Sequence, residues 1–232
     1  MKTTELDHGV DIRGGVVRRW ERDAEIAKLK YLRSHRSLLE FTSQWHFTTD
    51  PNVYEYWYIR GREATRDDIP DIVKALIQLH STLNTYELCS REMLDTLWVK
   101  RPLARLRDAG VRWDSKMHND MCEALLPLLD RESQLVTWHG DATLSNTIIT
   151  ERGVRFIDHA APDKGPREYD YAKLYRALVL SDDGVVDHNG WKHIPIVYHR
   201  YVLAHVAAMT GRHIGEQRRK ALEVCSTYLQ CQ

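Results

Sequence analysis

The stretch Leu135–Asp158 constrains this chain more than any other part of it. Asn146 to Thr150 (NTIIT) and Val154 to Asp158 (VRFID) are two five-residue runs rich in β-formers, separated only by Glu151-Arg152-Gly153. Three-residue hairpin loops commonly end in a left-handed residue, where glycine carries no Cβ penalty, and Gly153 holds that third place. The register expected from such a loop sets Thr150 against Val154, Ile148 against Phe156, and Asn146 against Asp158. Those last two side chains then share one face, with Cβ atoms about 4.5–5.5 Å apart. An amide oxygen and a carboxylate at that distance can share one hard cation of the Mg²⁺ type, alongside phosphate oxygens. A slip of one residue would send them to opposite faces, so the expectation depends on the turn.

Asp141 lies five residues before Asn146, in a loop that follows a strand ending near Trp138. This D-x-x-x-x-N spacing is that of a kinase catalytic loop, in which the Asp receives a hydroxyl proton and the Asn binds magnesium. A single loop Asp is ordinarily a turn residue or a cap. Three agreeing spacings (Asp141, Asn146, Asp158) favour a metal–nucleotide site instead. The competing metal-hydrolase reading takes His139, Asp141, Asp158 and His159 as ligands. It lacks an H-x-x-x-H helix, and carboxylate–amide pairing suits a hard cation better.

Around this segment the chain reads as a small mixed part followed by a large helical part. Val16-Val17 follows the turn signal Gly14-Gly15, Asp23 to His35 has helical spacing, and Val53 to Ile59 is a strand candidate after Asp50-Pro51-Asn52. Asp67-Asp68 can cap a helix with Pro70 in its first turn, putting Ile69, Ile72, Val73, Leu76, Ile77 and His80 on one face. The stretch Thr85 to Asp114 resists assignment. Ser115 to Leu126 reads as a helix, and the chain after Asp170 as helical almost to its end. Trp98, Trp113 and Trp191 are core or pocket candidates. Ser181-Asp182-Asp183-Gly184, with Asp187, is an acidic turn or an attractor of a cationic substrate.

With 43% hydrophobic residues and 33 Lys+Arg against 33 Asp+Glu, the chain can build a packed core, while no global field recruits nucleic acid or an anionic membrane. The 4 cysteines show no C-x-x-C spacing, the first residues have no apolar leader, and no long apolar run is present. A soluble, cytoplasmic protein is the expectation.

His139-Gly140-Asp141, Asn146, Ile157-Asp158 and Tyr169-Asp170-Tyr171-Ala172-Lys173-Leu174 together resemble the aminoglycoside phosphotransferase and choline kinase-type family. This is the small-molecule branch of the protein-kinase-like fold. The resemblance is close over Leu135–Leu178 and weaker through Val53–Gly61 and Leu79-His80-Ser81. It implies an α+β bilobal fold, with a reduced β-containing N-lobe over residues 1–60 and a mainly helical C-lobe over 61–232. It implies Mg²⁺-dependent transfer of the terminal phosphate of ATP or GTP to a hydroxyl of a small molecule.

By the same resemblance, Asp141 is the catalytic carboxylate, and Asn146 and Asp158 hold Mg²⁺. His139 braces the loop without titrating, Asp170 supports it from the next helix, and backbone near Tyr58 and Ile59 receives the nucleotide base. The N-lobe departs from the family pattern. Only Met1 to Gly15 precede Val16-Val17, short for the usual hairpin, and no Lys sits in that strand. Arg18 is the candidate phosphate ligand, with Glu25 as its acidic partner, and a solvated edge-strand charge is its alternative. A pseudokinase-like nucleotide-binding module is the competitor from another class.

Overall fold

The computed structural model describes the strands at 9–13, 16–20, 45–47 and 53–57, and then residues 59–231 apart from 83–85, 159–163, 182 and 212–214. The four strands are β1 (Gly9–Arg13), β2 (Val16–Trp20), β3 (Trp45–Phe47) and β4 (Val53–Trp57). They form one antiparallel sheet in the order β1-β2-β4-β3. Two expectations change here. The residues before Val16 do suffice for a hairpin, because β1 begins at Gly9 and pairs along the whole of β2. Arg18 lies on an inner strand, opposite Asp11 on one side and Glu55 on the other, so the edge-strand reading fails. β4 ends at Trp57, leaving Ile59 outside a strand. The expected helix over Asp23–His35 falls outside the described residues.

A short strand β5 (Arg62–Glu63) leads into helix α1 (Ile69–Ser81). Asp68 precedes the helix, and its carboxylate accepts the Thr65 N–H and hydroxyl at 2.8 and 2.9 Å and a fork from Arg62. Ile69, Ile72, Leu76, Leu79 and His80 are buried, whereas Ile77 is 55% exposed. The stripe along 69, 72, 76, 79 and 80 is narrower than expected, and position 77 falls on the row beside it.

The unassigned region proves helical. α2 (Arg91–Asp95), a π-helical turn (Thr96–Lys100) and α3 (Arg101–Asp108) run on without a break. The Ser90 hydroxyl caps the start by accepting the Met93 N–H at 3.1 Å. α4 (Lys116–Leu125) begins at Ser115, whose hydroxyl accepts the His118 N–H at 3.2 Å, and buries His118, Met121 and Leu125.

β6 (Leu135–Thr137) pairs with β9 (Lys164–Pro166), and β7 (Thr147–Thr150) with β8 (Gly153–Phe156) and β5. α5 (Arg167–Val179) follows β9 directly and is buried on almost every side. α6 (His199–Met209) and α7 (Gly215–Gln230) complete the helical body.

The core runs through Leu76, Trp98, Leu106, Met121, Leu174 and Leu203, each at most 1% exposed. Burying each such side chain stabilises the fold by roughly 1.5–3 kcal/mol. Contact is close around α5: a Cβ on Gly190 would stand 1.9 Å from the Leu178 carbonyl oxygen. No helix among the described residues is long and apolar enough to cross a membrane.

Candidate active site

The hairpin expected over 146–158 forms, but one residue out of the expected register. Thr147 pairs with Phe156, Ile148 with Arg155, Ile149 with Val154 and Thr150 with Gly153. The turn is the two residues Glu151-Arg152, and Gly153, with φ 101°, is the first strand residue rather than the last loop residue. Asn146 therefore stands opposite Ile157, whose N–H donates to the Asn146 carbonyl at 3.0 Å. Asp158 is not its cross-strand partner. The chain leaves the ladder at Asp158, an exposed residue with φ 53°. It is the sole described non-glycine residue in the left-handed region, where Asp is tolerated and functional sites gather.

The loop before β7 is held from both ends. His139 is fully buried; its Nδ1 accepts the Asp141 N–H at 3.1 Å and its Nε2 reaches the Ile157 carbonyl at 2.9 Å. Burial holds this imidazole below its ordinary pKa, against the raising influence of Asp170 and Asp141. A neutral ring protonated on Nε2 satisfies both contacts, and it ties the loop to the end of β8. Gly140 has φ 76°, a conformation that favours glycine in the His-Gly-Asp sequence.

Asp170, on the first turn of α5, fixes the same loop. Its Oδ1 accepts the Gly140 N–H at 2.8 Å; its Oδ2 accepts the His139 N–H at 2.7 Å and lies 3.0 Å from His80 Nε2. Burial opposes ionisation of this carboxyl, but the hydrogen bond and charge of His80, with the His139 N–H, outweigh it. The pKa lies below its ordinary value.

Asp141 differs. Its side chain is 37% exposed, its Oδ2 receives Asn146 Nδ2 at 3.1 Å, and its Oδ1 pairs closely with the Lys173 ammonium. Asn146 Nδ2 also donates to the Asp141 carbonyl at 3.0 Å, which turns the amide and leaves Oδ1 without a hydrogen bond among the described residues. Lys173 belongs to the Tyr169–Leu174 motif, yet the motif alone assigns it no role. The signal that could have found it is its i,i+3 spacing from Asp170, which brings both side chains to one face of α5 and so to one loop.

The observed register does not pair Asn146 with Asp158, and what suits a hard cation is donor chemistry alone: an amide oxygen on Asn146 and an exposed carboxylate on Asp158. Among the described residues no group of three or more His, Cys, Asp or Glu could hold a metal by itself.

Asp141 also lines a cavity of about 220 Å³, together with Trp98, Arg101, Lys173, Arg176 and His205. Trp98 is thus both core and pocket wall, while Trp113 is 54% exposed. Ile59 borders a separate recess with Gly61, Ile149 and Arg155. The backbones come close there, since a Cβ on Gly61 would lie 2.5 Å from the Ile149 oxygen. Hydrogen bonds thus join His139, Asp141, Asn146 and Asp170. Arg18 is placed on β2 by register alone, and Tyr58 and Glu25 lie outside the described residues.

An antiparallel sheet, then a helical body carrying a buttressed His-Gly-Asp loop and a two-stranded hairpin, is the protein-kinase-like fold in its small-molecule form. A sequence profile of the phosphotransferase enzyme family, APH, matches residues 48–195. The chain belongs to that family. A comparison of the sequence with curated proteins found no match.

Among solved structures, choline kinase LicA from Streptococcus pneumoniae is similar with TM-score 0.63 at 10% identity, over 100% of this chain and 92% of that one. A choline/ethanolamine kinase family protein from Mesorhizobium loti gives 0.63 at 13% identity, over 97% and 85%. A thermostable mutant of aminoglycoside phosphotransferase APH(4)-Ia gives 0.60 at 10% identity, over 100% and 94%. At these identities the likeness is one of fold.

Proposed function

We propose that this protein transfers the terminal phosphoryl group of ATP or GTP to a hydroxyl of a small molecule, with Mg²⁺ as cofactor. The observation that carries the reading is the state of Asp141: ionic and amide partners fix both carboxylate oxygens, yet the group stays partly exposed at a cavity. Family membership supports it, as do neighbours named as choline, ethanolamine and aminoglycoside kinases. LicA has also been solved in complex with AMP.

The acceptor oxygen attacks the terminal phosphorus, the bond to the bridging oxygen breaks, and the nucleoside diphosphate leaves. Asp141 orients the hydroxyl and takes its proton. Asn146 and Asp158 would hold Mg²⁺, which neutralises phosphate charge when bound. Most of the rate then comes from positioning and charge neutralisation. We assign base recognition to Tyr58 and Ile59, a phosphate contact to Arg18 with Glu25 beside it, and the division between lobes to Arg60-Gly61.

The test is nucleotide-induced thermal stabilisation with and without Mg²⁺, followed by nucleoside diphosphate release with hydroxyl acceptors. The wild-type protein is expected to be stabilised by nucleotide only with Mg²⁺, and Asp158→Ala to lose that response while keeping its fold. Unchanged magnesium dependence in the variant removes Asp158 from the metal site. Magnesium–nucleotide binding without transfer to any hydroxyl reduces the protein to a nucleotide-binding module.

A further inference from the structure

Among its described lining residues, the cavity beside Asp141 carries more basic than acidic groups. Arg101, Lys173, Arg176 and His205 line it, and Asp141 is the one carboxylate among its described lining residues. Lys173 is balanced by Asp141. Arg176, 3% exposed, directs one guanidinium nitrogen to the Leu180 carbonyl at 3.1 Å. Arg101 opens α3, is partly exposed, and makes no ion pair among the described residues.

Of the acidic turn, Asp183 accepts from the Ser181 hydroxyl and Asp187 pairs with Arg66 at 3.3 Å. Neither is among the cavity's described lining residues, and Asp182 lies outside the described residues. A cationic acceptor would bring its charge towards Arg101 and Lys173 with only an already paired carboxylate to meet it. An anion meets the reverse situation, and a guanidinium offers a planar fork that matches carboxylate or phosphate oxygens in pairs.

We propose that the acceptor is an anionic hydroxyl compound. A phosphate or carboxylate group is held by Arg101 in the field of Lys173, and this places a neighbouring hydroxyl at Asp141. The inference rests on the phosphotransfer reading for the role of that hydroxyl, but not for the anion site itself. Apolar surface from Leu97, Trp98 and Met209 faces the same space and suits a short carbon skeleton.

Glycerol 3-phosphate and D-glycerate serve as phosphate and carboxylate probes, with choline and glycerol as cationic and neutral counterparts. Excess Mg²⁺–ADP keeps the nucleotide site filled. At a hundredfold excess over Kd, one or both anions are expected to raise the Tm of the wild-type protein by roughly 5–10 °C. Choline and glycerol leave it unchanged. Arg101→Gln loses the shift and Arg101→Lys keeps part of it. In the transfer assay Arg101→Gln raises KM for the anionic acceptor at least tenfold, while KM for nucleotide stays put.

The proposal is overturned if no anion shifts Tm, if the shift survives Arg101→Gln, or if choline is bound or phosphorylated in preference. The last result, with magnesium-dependent nucleotide binding intact, removes this inference alone. An anion shift that depends on Arg101, in a protein with no magnesium–nucleotide response, removes the acceptor role and the phosphotransfer reading together.

Discussion

Asp141 and Asp170 serve the same loop and are built in opposite ways. Asp170 is wholly buried, and three donors meet it: two loop N–H groups and a histidine. The two N–H donors belong to the loop backbone itself, and His80 reaches the carboxylate from α1. Asp141 is met by two side-chain donors, Lys173 and Asn146; its side chain stays 37% exposed and lines a cavity. A carboxylate sealed by backbone donors shapes a loop, whereas one steadied by side chains at a cavity can accept a new partner. Motif position alone does not separate the two; the identity and exposure of their donors does.

The largest expected effect breaks the comparison at Asp141. Asp141→Asn keeps the shape and an acceptor oxygen but removes the charge and basicity. kcat is expected to fall by ~10²–10⁴, the usual scale of general acid–base assistance, with Mg²⁺–nucleotide affinity retained. Steady-state kinetics with any working acceptor checks this. Wild-type turnover in the variant would make Asp141 a second structural carboxylate and erase the distinction.

Asp170→Ala should do the reverse and act on stability. It leaves the His139 and Gly140 N–H groups and His80 buried without their acceptor. Breaking such a buried pair destabilises by about 3–5 kcal/mol. In a chain of this size that lowers Tm by roughly 6–20 °C. Thermal unfolding followed by circular dichroism measures it. A fully folded variant with wild-type Tm but no turnover would mean that Asp170 acts in chemistry after all.

How far this contrast can be read from the sequence depends on the distance over which each contact acts. His139, Asp141 and Asn146 sit within one loop, so their spacing signals their proximity. The register at Asp158 is not legible in the same way. Gly153 fits either the last loop position or the first strand position, and one residue decides the face. The Asp141–Lys173 pair joins residues 32 apart, and only the i,i+3 spacing of Lys173 from Asp170 hints at it locally.

Residues 91–108 are hard to read for another reason. The π-helical turn at Thr96–Lys100 shifts the helical period midway, so no single 3.6-residue stripe runs through the segment. The same turn carries Trp98, and Arg101 follows it at the start of α3; both line the cavity. The part of the site proposed to set acceptor chemistry is therefore the part hidden from periodicity.

The smallest expected effect sharpens the comparison through pH, within the buttress that holds Asp141. The folded pKa of His139 is lowered from its ordinary 6.5, so the native state excludes a proton that the unfolded chain binds. Its contribution to stability is complete above pH ~6.5 and is lost as pH falls below that value towards the folded pKa. The folded pKa of Asp170 is also lowered, from 3.8. Its contribution is complete above pH ~4 and is lost only on further acidification, through the folded value. Each limb reflects one proton, so neither can be steeper than about 1.4 kcal/mol per pH unit. His139→Gln can still accept at one atom and donate at another, and it is expected to flatten the decline below pH ~6.5 while leaving the later one. Asp170→Asn should flatten the decline below pH ~4 while leaving the earlier one. Denaturant midpoints at roughly half-unit intervals from about pH 8 to 3 resolve the two. A single unresolved decline that neither substitution alters would mean that these buried groups do not set the acid stability of the loop.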